Sequence, residues 1–136
     1  MCRMSVLPVH AALGVGRVAA GSLFLARPAA FARLLGVDSV TSGRLAWQSQ
    51  MIGAREIGLG LGLLAALRRN PAPWLLAGAL ADGVDSYAFT ARARAGDVRP
   101  GVGYGLGAVA AGAAAFGAAT SRSHTSRARA DTAAAS

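Results

Sequence analysis

Apolar positions along this chain gather into four runs: Val6 to Ala26, Ala46 to Leu67, Ala72 to Ala91 and Gly101 to Thr120. Short stretches rich in Arg, Asp, Pro and Ser divide them. A helix of about 20 residues rises about 30 Å, the thickness of a hydrocarbon layer. The fourth run contains no charge, and Tyr104 is its main polar feature. A soluble amphipathic helix of that length would need a polar face, so the pattern favours a membrane span. The second run is charged only at Arg55 and Glu56 and opens near Trp47; the third opens near Trp74, where interfacial aromatics belong. The first run is interrupted by Arg17. A secretory leader is the competing reading there, but an arginine in its apolar centre and the lack of a small-x-small cleavage site argue for a retained span.

The connections set the topology. Arg68-Arg69-Asn70-Pro71 is long enough only for an antiparallel return, and 92–100 forms a charged loop. Between Arg27 and Leu45, Pro28 suits a first helical turn and Gly36 a position just past a helix end. Phe31, Leu34 and Leu35 make an apolar stripe between them, which fits a short interfacial helix, with a plain loop as the alternative. Asp38, Ser39 and Ser42 offer caps for the helix that follows. The predicted fold is all-α, an antiparallel four-helix transmembrane bundle over residues 1–120. A polar tail at 121–136 reads as disordered.

Composition changes this picture little. The chain of 136 residues is 54% hydrophobic with a mean hydropathy of +0.43, high for a soluble domain and ordinary for a small multi-span membrane protein. All 14 basic residues are arginine, which together with abundant Ala, Gly and Val points to a GC-rich genome. The net charge of +8 does not make a nucleic-acid partner, because the arginines sit between apolar runs and in the tail without aromatic interleaving or a recognition motif. Cys2 is the single cysteine, and His10 and His124 have no ligand-like neighbours, so neither a disulfide nor a metal or other cofactor is expected. Six arginines fall on the side of the termini and six on the other, so the positive-inside rule assigns no orientation.

The charges inside the runs carry the chemistry. With the spans laid up and down, Arg17 sits roughly 16 Å deep, Arg55 roughly 18 Å, Glu56 roughly 16 Å, Asp82 roughly 15 Å and Asp85 roughly 20 Å. An unpaired charge at such depth costs at least about 2.5–3.5 kcal/mol, so these side chains are expected to pair with one another. Arg55 and Glu56 lie about 100° apart on their helix, which sends each to a partner on another element. Gln48 and Gly62 share a face with Arg55, Tyr87 could join the edge of the cluster, and Gly58 and Gly62 form a small-xxx-small register. Glycines 101, 105 and 112, with Ala108, make a smooth face on the fourth run, and Gly14, Arg17 and Gly21 share one face of the first, where small residues would let a neighbouring helix approach closely. Two arginines against three carboxylates leave one acid over, and that acid could be protonated.

Gly14 to Arg17, Pro28-Ala-Ala-Phe-Ala-Arg-Leu-Leu-Gly-Val-Asp38, Gly53-Ala-Arg-Glu-Ile-Gly58 and Asp82-Gly-Val-Asp85 together resemble the domain-of-unknown-function 4267 family, with a more distant likeness to DoxX-type proteins. The resemblance covers Val6 to Ala119. It implies a small four-span integral membrane protein of a kind found in bacteria and fungi, and it implies no activity, so no catalytic roles carry over; the address expected here is a bacterial plasma membrane.

Three functions are compatible with these readings. The first is a non-enzymatic membrane protein whose polar centre, with Arg17, Arg55, Gln48 and Tyr87, binds a small hydrophobic or amphiphilic ligand or packs a partner, a second copy included. The second is an intramembrane acid-base isomerase or cyclase acting on a lipid or terpenoid, with Glu56, Asp82 or Asp85 as proton donor. The third is a proton-coupled carrier, which four short spans could support only as an oligomer. Against all three stands the plainer role of an ion network that fixes helix register.

Overall fold

The structure, a computed structural model, describes the backbone of residues 7–134 and the side chains of 7–123 and Ser126; Cys2 and His124 lie outside the described side chains. The described residues are all-α: α1 (Leu7–Ala26), α2 (Pro28–Leu34), α3 (Ser39–Arg44), α4 (Ala46–Ala66), α5 (Ala72–Ala95) and α6 (Pro100–Ala134). The four apolar runs become α1, α4, α5 and the first part of α6. The stretch after Ser121 continues as helix to Ala134. It is rich in Ala and Arg, both strong helix formers, and Ser121, Ser123 and Ser126 each satisfy a hydroxyl on the carbonyl three or four residues back.

The long helices associate as two antiparallel pairs, α1 with α4 and α5 with α6, joined more sparsely where α4 meets α5. The first pair closes glycine on glycine. A Cβ on Gly21 would lie 2.5 Å from the Gly53 carbonyl oxygen, and one on Gly60 would lie 2.6 Å from the Gly14 carbonyl oxygen. Only glycine permits the two backbones to come this near. The expected register was different: Gly58 faces open space, and it is Gly53 and Gly60, seven residues apart, that meet α1. On α6 the packing face likewise runs through Gly103, Gly107 and Gly117 against α5, while Gly101, Gly105 and Gly112 touch nothing within 4 Å. On α1 the glycines expected to admit a neighbour, Gly14 and Gly21, are the ones that meet α4.

Polarity is distributed inside out. Arg17, Ser49, Glu56 and Asp82 are buried, whereas Leu23, Met51, Leu80, Val84 and Val109 are exposed. Two helices among the described residues are long and apolar enough to cross a membrane, Leu7–Ala26 and Pro100–Ser123. Only 22% and 17% of their apolar windows are buried, so neither is the enclosed core helix of a soluble domain. Four such helices were expected; α4, which carries Arg55 and Glu56, and α5, which carries Asp82 and Asp85, are less apolar.

Short elements finish one end of the molecule. Pro28 starts α2, and Gly36 stops it at φ 91°, a left-handed conformation where any Cβ would also strike the Arg99 side chain. The Leu35 carbonyl accepts from the Arg99 N–H at 2.8 Å, tying the end of α2 to the start of α6. Asp38 caps α3, its Oδ1 accepting from the N–H groups of Val40 and Thr41 at 3.0 Å each. The side-chain and backbone donors of Thr41, then the Val40 N–H, hold the Asp38 carboxyl below its ordinary range against a small opposing desolvation. α3 itself is a separate turn of helix that the cap residues signalled only in part.

Candidate functional site

Five charged side chains from α1, α4 and α5 converge, as depth counting along the runs led one to expect. Arg17 on α1 donates from Nη1 to Glu56 Oε2 at 2.5 Å and from Nη2 to Asp82 Oδ2. Arg55 on α4 grips Asp85 with both terminal nitrogens, Nη1 to Oδ1 at 3.2 Å and Nη2 to Oδ2 at 2.6 Å. It also donates to Glu56 Oε1 from Nε at 3.3 Å and from Nη2 at 3.1 Å. The result is an alternating chain, Asp82–Arg17–Glu56–Arg55–Asp85, in which neighbouring charges always differ in sign. Fixed geometry of this kind is what lets ion pairs offset the cost of leaving water.

One detail refines the reading from sequence. Arg55 and Glu56 do reach each other, because the long guanidinium stem swings back across the angle between their Cβ atoms. Each nevertheless has its principal partner on another helix. Every carboxylate has an arginine partner, Glu56 sharing both guanidiniums, and the expected excess of one acid over the arginines remains.

The glycines make room for this arrangement. Gly14 and Gly21 flank Arg17 at the α1–α4 crossing, and a Cβ at Gly78 on α5 would approach Arg17 Nη2 to 3.0 Å. The Arg17 head therefore passes over a bare stretch of α5 backbone to reach Asp82.

Beside the ion chain, lined by residues of all four long helices, lies an open cavity of about 200 Å³. Glu56, Asp82 and Asp85 line it together with Ala110 and Ala113 of α6, and Phe24, Phe31 and Phe89 close one side. Those rings contact edge to face, Phe24 on Phe31 at 4.8 Å between centroids and Phe31 on Phe89 at 6.1 Å. A second, larger chamber of about 490 Å³ lies beside α2 and α3. Phe31, Ile52 and Phe89 border both spaces, so they form the partition between chamber and cavity.

The remaining candidates fall elsewhere. Gln48 lines the second chamber rather than joining the ions. Tyr87 is 77% exposed and takes no part in the cluster. Two residues after Asp85 it lies about 200° round the helix, on the opposite face. Among the described residues no group of His, Cys, Asp and Glu could hold a metal ion. The aromatic partition was not foreseen as part of the site, although a heptad step from Arg17 gives Phe24 and one from Asp82 gives Phe89. No protein-family model matches the chain, and no curated protein or solved structure matches it.

Proposed function

We propose that this chain is a small multi-span membrane protein, an antiparallel four-helix transmembrane bundle, that binds a small amphiphilic molecule between its two helix pairs. The carrying observation is the cavity: apolar walls and a patch of carboxylates on one side. Ligand sites commonly combine an apolar lining with a few convergent polar groups. An apolar cavity of about 150 Å³ holds a benzene ring, so this space suits the head and first ring or chain segment of a ligand. The membrane address is supported by buried charge and exposed leucine, valine and methionine, the reverse of a soluble domain. The two helices that meet the length and hydropathy criterion for a span support it further. The likeness to the domain-of-unknown-function 4267 family implies the same architecture and a membrane address; the membrane proposed is a bacterial plasma membrane.

A second reading, an intramembrane acid-base enzyme, is favoured by the same three carboxylates lining the cavity. It requires one of them to carry a proton at neutral pH, while each already accepts from a guanidinium. Binding therefore ranks ahead of proton transfer.

The test uses the full chain in phosphatidylcholine nanodiscs and a radiolabelled series with one apolar body, phenylbutylamine, phenylbutanol and phenylbutyric acid. Saturable binding of at least one compound above that of empty nanodiscs is expected, and Ala113→Phe, which fills the cavity, abolishes it. If no compound binds saturably, or if the filled variant binds as well as the original, there is no amphiphile site between the helix pairs.

A further inference from the structure

The ion chain is incomplete in one specific place. Its three carboxylates present six oxygens, and guanidinium groups occupy both oxygens of Glu56, both of Asp85 and Oδ2 of Asp82. Asp82 Oδ1 accepts no hydrogen bond, and the Asp82 side chain, 12% exposed, lines the cavity. An oxygen open to the cavity can take a donor from it without breaking an existing bond, and a hydrogen bond that joins charged groups is stronger than a neutral one.

Charge gives the donor its sign. Two guanidiniums oppose three carboxylates, which leaves the network with one negative charge in surroundings that solvate it poorly. Neither arginine lines the cavity; the charged groups facing it are Glu56, Asp82 and Asp85. A ligand in the cavity therefore meets acceptors and negative potential. A carboxylate or phosphate headgroup would be repelled at short range, and a neutral hydroxyl could donate one bond without balancing the charge. An ammonium does both.

We propose that the cavity takes an aliphatic amine with an apolar body, its N⁺–H donated to Asp82 Oδ1 and its hydrocarbon laid against Phe24, Phe31 and Phe89. This rests on the reading of the cavity as an amphiphile site and adds the chemical class of the headgroup. The ligand cation completes the alternating chain at its Asp82 end, so that ammonium, Asp82, Arg17, Glu56, Arg55 and Asp85 follow with no two like charges adjacent.

The matched series in nanodiscs of zwitterionic lipid separates this from the broader reading. Phenylbutylamine is expected to bind roughly tenfold more tightly than phenylbutanol, the scale by which a charged donor exceeds a neutral one in a buried hydrogen bond. Phenylbutyric acid is expected to show no saturable binding. Asp82→Asn makes the network neutral and is expected to reduce the amine to the affinity of the alcohol. Equal affinities for amine and alcohol in the original protein would overturn the proposal, because a proton rather than a ligand would then balance the charge. So would an acid that binds as tightly as the amine; in both cases the amphiphile site itself stands. Absence of binding by all three compounds removes the site and the proposal together. Should Asp82→Asn fail to fold, the three affinities of the unaltered protein decide the question alone.

Discussion

Gly53 and Gly58 stand five positions apart on α4 and should respond oppositely to the same substitution. A Cβ at Gly53 would lie 2.7 Å from the Gly21 carbonyl oxygen and 3.0 Å from the Phe24 Cβ. The first contact falls about 0.7 Å short of the 3.4 Å at which ordinary van der Waals contact begins, and it is made with backbone, which cannot rotate away. Gly53→Ala must therefore push α1 off α4 where Arg17 reaches Glu56 at 2.5 Å. Overpacking of this kind costs about 1–3 kcal/mol. At Gly58 nothing lies within 4 Å, so alanine meets no obstacle and gains helix propensity of up to about 1 kcal/mol. Dodecyl sulfate titration of the protein in mixed micelles, followed by the loss of helical circular dichroism, measures both. Gly53→Ala should unfold earlier than the original protein and Gly58→Ala at the same point or later. Equal destabilisation by the two would refute the assignment of α4's packing face.

Two more outcomes follow from the charges. Arg17→Met leaves Glu56 Oε2 and Asp82 Oδ2 without their donor, and stranding buried charge costs about 3–5 kcal/mol, so little monodisperse protein should survive size exclusion; adding Glu56→Gln and Asp82→Asn should restore much of it, and no recovery would show that Arg17 acts through packing rather than charge. Asp38 is held below its ordinary carboxylate range by donors at the start of α3, so its cap is intact above that range and is lost as pH falls through the lowered value; hydrogen exchange at the Val40 and Thr41 amides should accelerate over that acidic interval in the original protein and be fast at all pH values in Asp38→Ala.

Depth along the apolar runs was enough to bring Arg17, Arg55, Glu56, Asp82 and Asp85 together, because a buried charge must find an opposite one and helical rise fixes its level. Face was harder. Heptad steps from the charged residues mark the interior well: His10 precedes Arg17 by one heptad, Ser49 precedes Glu56, Leu75 precedes Asp82 and Leu63 follows Glu56, and all four are buried. The small-residue pattern held on α1, where Gly14 and Gly21 meet α4, and misled on α4, since an isolated helix offers several glycine faces and only the partner's position selects Gly53 and Gly60 over Gly58 and Gly62. Tyr87 was drawn toward the cluster by closeness in sequence, which its angle round α5 overrules. The cavity was not legible at all. It arises because α1 pairs with α4 and α5 with α6 more tightly than the pairs meet each other, a difference in closeness that no single run contains.

The pairing of α1 with α4 also has a consequence for how the chain is made. Arg17 finds its partners 39 and 65 residues later in the chain, at Glu56 and Asp82. At a synthesis rate of about 5–20 residues per second, the first partner emerges about 2–8 s after the arginine and the second about 3–13 s after it. In the four-span arrangement proposed above, α1 enters the membrane carrying a charge that nothing yet neutralises. A lone arginine there favours withdrawal to the interface over residence at the bilayer centre. The first helix is therefore expected to wait at the insertion machinery until α4 arrives, and the two to leave it together as a glycine-locked pair.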